Sequence, residues 1–541
     1  MRAVFVLPAL PAAAALAGLV FLAGWRFRRA RFPALGWALL SLPTLAVLAY
    51  RFWDHHVGPE GFSWWMFELT PGNMSMIVPL AALSPLLLLA AEGKGMDTGR
   101  ENVASALSCL ALASAMTAVL SRHLFITACM FALATLSMAG AALARKGGGR
   151  AFLPASLVPV ALSDLCLAVG VLFLYLHDPS RGLFLPAAPL RVEGLLIPAC
   201  ALMLAAALLR LGGFPFHRWM SGIARGGKDF RLIHLLAVDL VLGTYLLYSV
   251  TRVLFAWDGT WVWICFGVSL LTLVVVLREL LSARDRDEAW GLLCVALGAH
   301  VALSASTGSQ LGAVACRLGI WVGVAALALV QIGGERGRGR TWALPVGGLC
   351  LLGLPPMAGF SWRWMEFNVL AGELAGGAAV LFLAAVPVVF AGAFIEGFTC
   401  LWLPARGEAE APRPWTIFSG VVLAAFLLVL GLYPGKLVDL LMREYGLAVN
   451  LPFSSWTPLG WAMLICGVVS MLILAAWTFS GDETRRAAAD SRPGALPLLG
   501  ERRVFGPALV AGSRKSLVAY TACDGLLLAA WAAAMIYLAL R

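Results

Sequence analysis

Apolar runs of about twenty residues recur along the chain, with short polar loops between them. A helix crossing about 30 Å of hydrocarbon needs roughly 20 apolar residues. That template predicts sixteen membrane helices, near 3–24, 33–52, 74–91, 102–120, 123–144, 152–176, 194–222, 231–254, 259–279, 288–306, 311–332, 341–372, 376–404, 415–433, 456–479 and 517–540. We number these spans one to sixteen. The first follows a lone Arg2 and precedes Arg26, Arg28, Arg29 and Arg31. A cleaved signal carries its charges ahead of the apolar stretch, so 3–24 reads as a membrane helix.

Loop charge tests the count. Cytoplasmic loops are enriched in Lys and Arg. With the N-terminus outside and sides alternating, inside loops and the span ends beside them hold 28 of the 40 basic residues, and outside segments with theirs hold nine. Both termini then lie outside. The remaining three, Arg210, Arg317 and Arg363, fall within spans.

Composition narrows the class. Hydrophobic residues make up 61% of the 541 and charged ones 13%; mean hydropathy is +0.87. Soluble chains are about half apolar and a quarter charged. A soluble enzyme, a disordered chain and a fibrous one are therefore excluded, and an all-α integral membrane bundle is expected. The net charge of +11 sits mostly in short loops, so it is no nucleic-acid signal. The eleven Cys, among them Cys109, Cys166, Cys265, Cys316 and Cys466, form no CxxC pair. They read as small core residues rather than disulfides, zinc ligands or iron–sulfur ligands. With no GxxxxGK loop, no strand-linked GxGxxG turn and no His/Cys cluster, no cofactor and no active site of its own is expected in this chain.

Two spans are broken. One reads Leu211-Gly212-Gly213-Phe214-Pro215-Phe216-His217-Arg218-Trp219-Met220, the other Gly353-Leu354-Pro355-Pro356-Met357-Ala358-Gly359-Phe360-Ser361-Trp362-Arg363-Trp364-Met365. Pro215, Pro355 and Pro356 each remove a backbone donor. Freed backbone groups are tolerated at membrane depth only inside protein or beside a wet cavity. A pair of interrupted spans in corresponding places points to internal repeats with a transport path between them. They lie five spans apart, an odd number, so the repeats would be inverted. The ordinary alternative is that Pro and Gly simply occur in membrane helices.

Ionisable groups within spans are costly and by default functional. The candidates are Asp164, Arg210, His234, Asp239, Arg317, Arg363, Glu366, Glu396 and Asp524, with His300 a weaker one. Arg363 and Glu366, three apart on one helix face, can pair. On an α-helix His234 and Asp239 would point about 140° apart. Bland readings stand beside these: Arg210 or Arg317 snorkelling to a surface, Glu396 serving a helix end, Glu366 merely neutralising Arg363, His234 a satisfied core histidine. A whole row of polar groups through the bundle fits a proton or ion relay better.

These residues carry a resemblance. Phe214-Pro215-Phe216-His217-Arg218-Trp219, then Arg231-Leu232-Ile233-His234 with Gly243-Thr244-Tyr245-Leu246, then Gly353-Leu354-Pro355-Pro356 with Gly359-Phe360 resemble, in order and spacing, the antiporter-like membrane subunits of respiratory complex I, membrane-bound hydrogenases and Mrp-type cation/proton antiporters. The resemblance covers roughly 60–435. It implies a fourteen-helix core of two inverted five-helix repeats with broken helices seven and twelve. The domains would be 1–101 (helices one to three), 102–254 (first repeat, helices four to eight), 259–404 (second repeat, helices nine to thirteen) and 415–541 (helices fourteen to sixteen).

The resemblance also implies proton transfer along a central polar axis, and here the chain departs from it. The family's fifth-helix Glu has no match in Phe125-Ile126-Thr127-Ala128-Cys129-Met130-Phe131. The seventh- and twelfth-helix lysines fall on Arg210 and Arg363, and the eighth-helix His on His234. Arg317 is the sole charge on the eleventh and is out of register. Asp164 resembles an acidic position of the largest members. Arg keeps its proton in proteins, so Arg210 and Arg363 can set a field but cannot relay. Residues 480–516 would reach about 55 Å if wholly helical, yet Pro493, Gly494, Pro497 and Gly500 interrupt them, so no long brace is expected.

The expected function is an antiporter-like subunit of a complex-I-like or hydrogenase-like assembly in a bacterial inner membrane. It would contribute to proton or cation translocation by an altered relay. The expected partners are other membrane subunits, peripheral redox subunits and the bilayer, with no nucleic acid. The alternatives are a non-pumping scaffold of the same fold and a membrane partner in inorganic-carbon uptake.

Overall fold

The computed structural model describes residues 6–27, 62–64, 66–91, 99–144, 149–181, 183–186, 188–226, 230–257, 259–283, 286–333, 342–372, 379–402 and 414–432. The spans expected at 33–52, 456–479 and 517–540, with Asp524, Cys466 and the 480–516 segment, lie outside these residues.

Among the described residues, seven helices are long and apolar enough to cross a membrane: Val103–Leu120, Leu124–Ala144, Ser156–His177, Phe230–Leu254, Gly259–Ser282, Arg286–Ser306 and Gln310–Gly333. Shorter apolar helices cover Pro11–Val20, Ser75–Ala91, Leu196–Arg210, Ala343–Leu352, Ala385–Cys400 and Thr416–Leu432. The chain is a multi-pass membrane protein. The all-α expectation needs one small correction. Phe62–Trp64 pairs antiparallel with Phe67–Leu69 in the loop before the third span, where Phe and Trp alternate with polar residues and favour a short hairpin.

Hydrophobic character is distributed by position in the bundle. The apolar stretches of Arg286–Ser306 and Gln310–Gly333 are wholly buried and that of Phe230–Leu254 nearly so, whereas those within 124–144, 156–177 and 259–282 are less than half buried. The large side chains left exposed on outer helices are apolar, including Leu136, Leu165, Leu172, Ile264 and Val429. That is the surface lipid requires, since tails offer no hydrogen bonds.

Loop contacts sort by side. Arg122 N–H donates to the Met66 carbonyl, Leu185 N–H to Arg122, and Leu190 pairs with Leu254 and Ala256. Trp257 Nε1 donates to the Ser306 carbonyl at 2.8 Å. At the other end, Arg231 meets Asp287 at 3.0 Å and Gln331 at 3.0 Å, and Arg225 approaches Glu288 at 3.9 Å. The loops assigned by charge to one side therefore meet one another over residues 66–333.

Both interrupted spans stop at a left-handed glycine, Gly212 with φ +77° and Gly353 with φ +79°. Gly213 N–H donates to Leu208 and Leu354 N–H to Leu349, five residues back in each case, so orphan carbonyls at the helix end are satisfied. The second helix then restarts at Ala358. Here a Cβ on Gly359 would lie 1.6 Å from the Cys350 carbonyl oxygen, while one on Gly267 would meet nothing within 4 Å. Gly359→Ala should therefore cost about 1–3 kcal/mol or more through overpacking. Gly267→Ala should be near neutral. Thermal melts of the two variants in detergent check this, and equal stability would contradict the packing described.

Candidate functional site

The first break positions Arg210. It is the last residue of helix Leu196–Arg210, where a cation faces unpaired carbonyls favourably. Its side chain is fully buried. Nε donates to Asp239 Oδ1 at 3.0 Å, Nη1 to Asp164 and Nη2 to Thr135 Oγ1 at 3.1 Å. The guanidinium carbon sits 4.9 Å from the Phe131 ring centre. Four helices thus converge on one cation. Three of the predicted residues, Asp164, Arg210 and Asp239, are brought together. Asp239 Oδ2 is buried with no hydrogen-bond partner among the described residues.

The second break positions Arg363, on the helix that follows it rather than the one before. Nη1 donates to Glu366 Oε2 at 3.0 Å, the pairing their spacing predicts. Nη2 donates to Glu396 Oε2 at 2.6 Å. The guanidinium lies 4.1 Å from the Trp362 ring centre, within cation–π range. His300 closes the ring: Nδ1 lies 2.8 Å from Glu366 Oε1 and Nε2 lies 2.8 Å from Glu396 Oε1. All four side chains are buried.

Three members of these clusters were missed or undervalued by the sequence reading. Glu396 was weighed as a helix-end residue and His300 as a weaker candidate, yet both sit at the centre of the second cluster. Thr135 was not considered, because a carboxylate was sought earlier on that helix. Only the burial of a His and a Glu inside apolar runs could have flagged the first two, since 66 and 96 positions separate His300 from its partners.

The other predicted residues make their contacts outside the two clusters. His234 Nε2 lies 3.2 Å from Ser108 Oγ, and its ring stacks on Phe230 at 5.1 Å. The α-helical angle expected between His234 and Asp239 does not apply, because Phe230–Asp239 is π-helical. Its i to i+5 bonding changes the angle per residue. The two residues still reach different helices. Arg317 is fully buried and does not snorkel; its Nε donates to the Ala313 carbonyl at 3.1 Å, and Tyr248 lies 5.1 Å away. Arg210 does not snorkel either. At the end of the first break, Glu279 accepts from Arg218 at 2.7 Å and lies 3.1 Å from His217 Nε2.

The whole chain aligns with a chain of the Mrp complex from Dietzia sp. DQ12-45-1b, with TM-score 0.70 and 16% identity, and spans 62% of that chain's length. A chain of the membrane-bound sulfane sulfur reductase, an archaeal respiratory membrane complex, superposes over 99% of this chain and 95% of its own, with TM-score 0.69 and 16% identity. The two superpositions show a shared fold. A chain of respiratory complex I from Thermus thermophilus shares it too, over 81% of this chain and 98% of its own, with TM-score 0.62 and 20% identity. No protein-family model and no curated protein sequence matches the chain. All three neighbours are chains of larger complexes.

Removing one partner of a buried ion pair costs about 3–5 kcal/mol, while replacing the set by apolar residues is often neutral. Arg210→Met should therefore destabilise strongly by leaving Asp164 and Asp239 facing each other. Adding Asp164→Leu and Asp239→Leu should restore most of the loss. Melts of the single, double and triple variants in detergent would show this non-additivity; additive losses would mean that the cluster does not act as one unit.

Proposed function

We propose that the chain is an antiporter-like subunit of a multisubunit membrane complex of the complex I, hydrogenase or Mrp kind. In this reading it moves protons through the bundle by an altered relay. One observation carries the proposal: each buried cluster contains one Arg and two carboxylates, Asp164 and Asp239 with Arg210, Glu366 and Glu396 with Arg363. Arg stays charged. Each cluster is therefore one negative charge in excess when its carboxylates are ionised, a costly state away from water. A proton is the smallest ion that removes the excess.

The roles follow from the chemistry. Arg210 and Arg363 hold a fixed positive field. Asp164, Asp239, Glu366 and Glu396 take up and release protons, and His234 and His300 can both accept and donate. Arg317 adds a fixed charge on the central helix. The two breaks, at Pro215 and at Pro355 with Pro356, end or begin the helices that carry Arg210 and Arg363. We place the clusters in two inverted repeats, 102–254 and 259–404, of a fourteen-helix core. The chain would sit in a bacterial inner membrane with both termini outside and with membrane and peripheral redox subunits as partners.

A scaffold reading is favoured by the same arginines, which satisfy the carboxylates without any titrating lysine. The discriminating measurement begins with purification in mild detergent at native expression, followed by mass spectrometry. Co-purifying iron–sulfur subunits are expected. A lone chain or a non-redox soluble partner would move the assignment towards a secondary antiporter or inorganic-carbon uptake. In proteoliposomes of the isolated complex, combined Asp164→Asn, His234→Gln, Asp239→Asn and Glu366→Gln should slow proton movement by about tenfold or more, as loss of a positioned proton carrier does. Undiminished pumping with an intact complex would leave only the scaffold.

A further inference from the structure

We infer that the cluster around His300 is a one-proton store, with a single exchangeable proton shared by His300, Glu366 and Glu396. The inference rests on the proton-translocation reading for its purpose, but not for its geometry. A neutral imidazole has one N–H donor and one bare acceptor nitrogen. A carboxylate only accepts. Here both ring nitrogens lie 2.8 Å from carboxylate oxygens. The two contacts can both be hydrogen bonds in just two ways. The ring is doubly protonated and donates twice, or one carboxyl is protonated and donates to the bare nitrogen. Each way adds one proton to the cluster.

Charge counting gives the same number independently. Arg363 contributes one positive charge and the two glutamates two negative ones; one further proton makes the set neutral. Among the described residues, Arg363, Glu366 and Glu396 are the charged groups bonded within this set. Transfer from His300 Nε2 to Glu396 Oε1 breaks one N–H bond and forms one O–H bond. It leaves a neutral ring and a carboxylic acid, with the total charge unchanged. The reverse holds at Nδ1 and Glu366. The proton therefore has three resting places in series, Glu366, His300 and Glu396, on three different helices.

The surroundings suit exchange with water. Ser304 Oγ, Ser361 Oγ, Trp362 Nε1, Arg363 Nε and Thr399 Oγ1 are buried with no hydrogen-bond partner among the described residues. Ser304 is one helical turn from His300, and Thr399 is three residues from Glu396. Native proteins rarely leave buried polar atoms unpaired. Five within a turn of one cluster mark a place where water can be held.

The test reads the proton directly in the full chain within its native assembly. Ala299-His300 is the sole Ala-His pair in the sequence, so 13C-alanine with 15N-histidine labelling identifies the His300 signals in solid-state NMR. The expected result is a doubly protonated His300 ring, or a neutral ring together with one carboxylic-acid infrared band that 13C-glutamate labelling shifts. Glu396→Gln removes one negative charge and supplies an amide donor. The ring should then become neutral, donating to Glu366 and accepting from the glutamine, and the cluster should lose its one proton. Glu366→Gln makes the same test from the other side should the first variant not fold. A neutral ring with both glutamates ionised, or a doubly protonated ring persisting in the Gln variants, would overturn the store. Confirmed proton binding with unaltered pumping in the Gln variants would overturn the transport reading alone.

Discussion

A charge in hydrocarbon must be neutralised where it stands, and the centre of this bundle is built around that requirement. The guanidiniums of Arg210 and Arg363 lie at zero or near-zero exposure. Each is met by carboxylates from other parts of the chain. The glycine-terminated breaks and the π-helical segment carry or flank Arg210, Arg363 and Asp239, all three buried. Lipid-facing helices can then remain plainly apolar. The cost of burying ions falls on a few positions, which is why those positions involve so many helices at once.

The choice of Arg over Lys changes what these clusters can do. A lysine can lose its proton when buried, and its pairing can thus open and close. A guanidinium keeps its charge and offers five donors in a fixed fork. Arg210 spends them on two aspartates and a threonine from three helices. The cation becomes a permanent framework, and variable protonation is left to the acids and to His300. In the proposed relay, fixed cation and mobile proton therefore belong to different residues.

Hydropathy was enough to place thirteen of the sixteen expected spans on helices of the described residues, because twenty apolar residues in a row have few other uses. The two breaks were equally visible, since Gly and Pro act locally. The pairing of Arg363 with Glu366 followed from a spacing of three. What the sequence did not disclose is long-range. Nothing local links Thr135 to Arg210, or His300 to Glu396, and a single His in an apolar run looks like a filler. The angle between His234 and Asp239 was misjudged for a different reason. Hydrophobic periodicity over ten residues does not separate α- from π-helical bonding.

Enclosure has a consequence for how the protein is made. The apolar stretch of helix Arg286–Ser306 is wholly buried, so in the finished molecule protein, not lipid, surrounds it. Yet His300 is synthesised before either of its carboxylate partners, and Glu396 arrives last, on helix Ala379–Trp402. Until that helix is inserted, the cluster cannot close. Biogenesis of this bundle is therefore a non-local event in which early helices wait for late ones. Truncation beyond the second break would strand half-built charge pairs inside the membrane, where quality-control proteases recognise unfinished proteins.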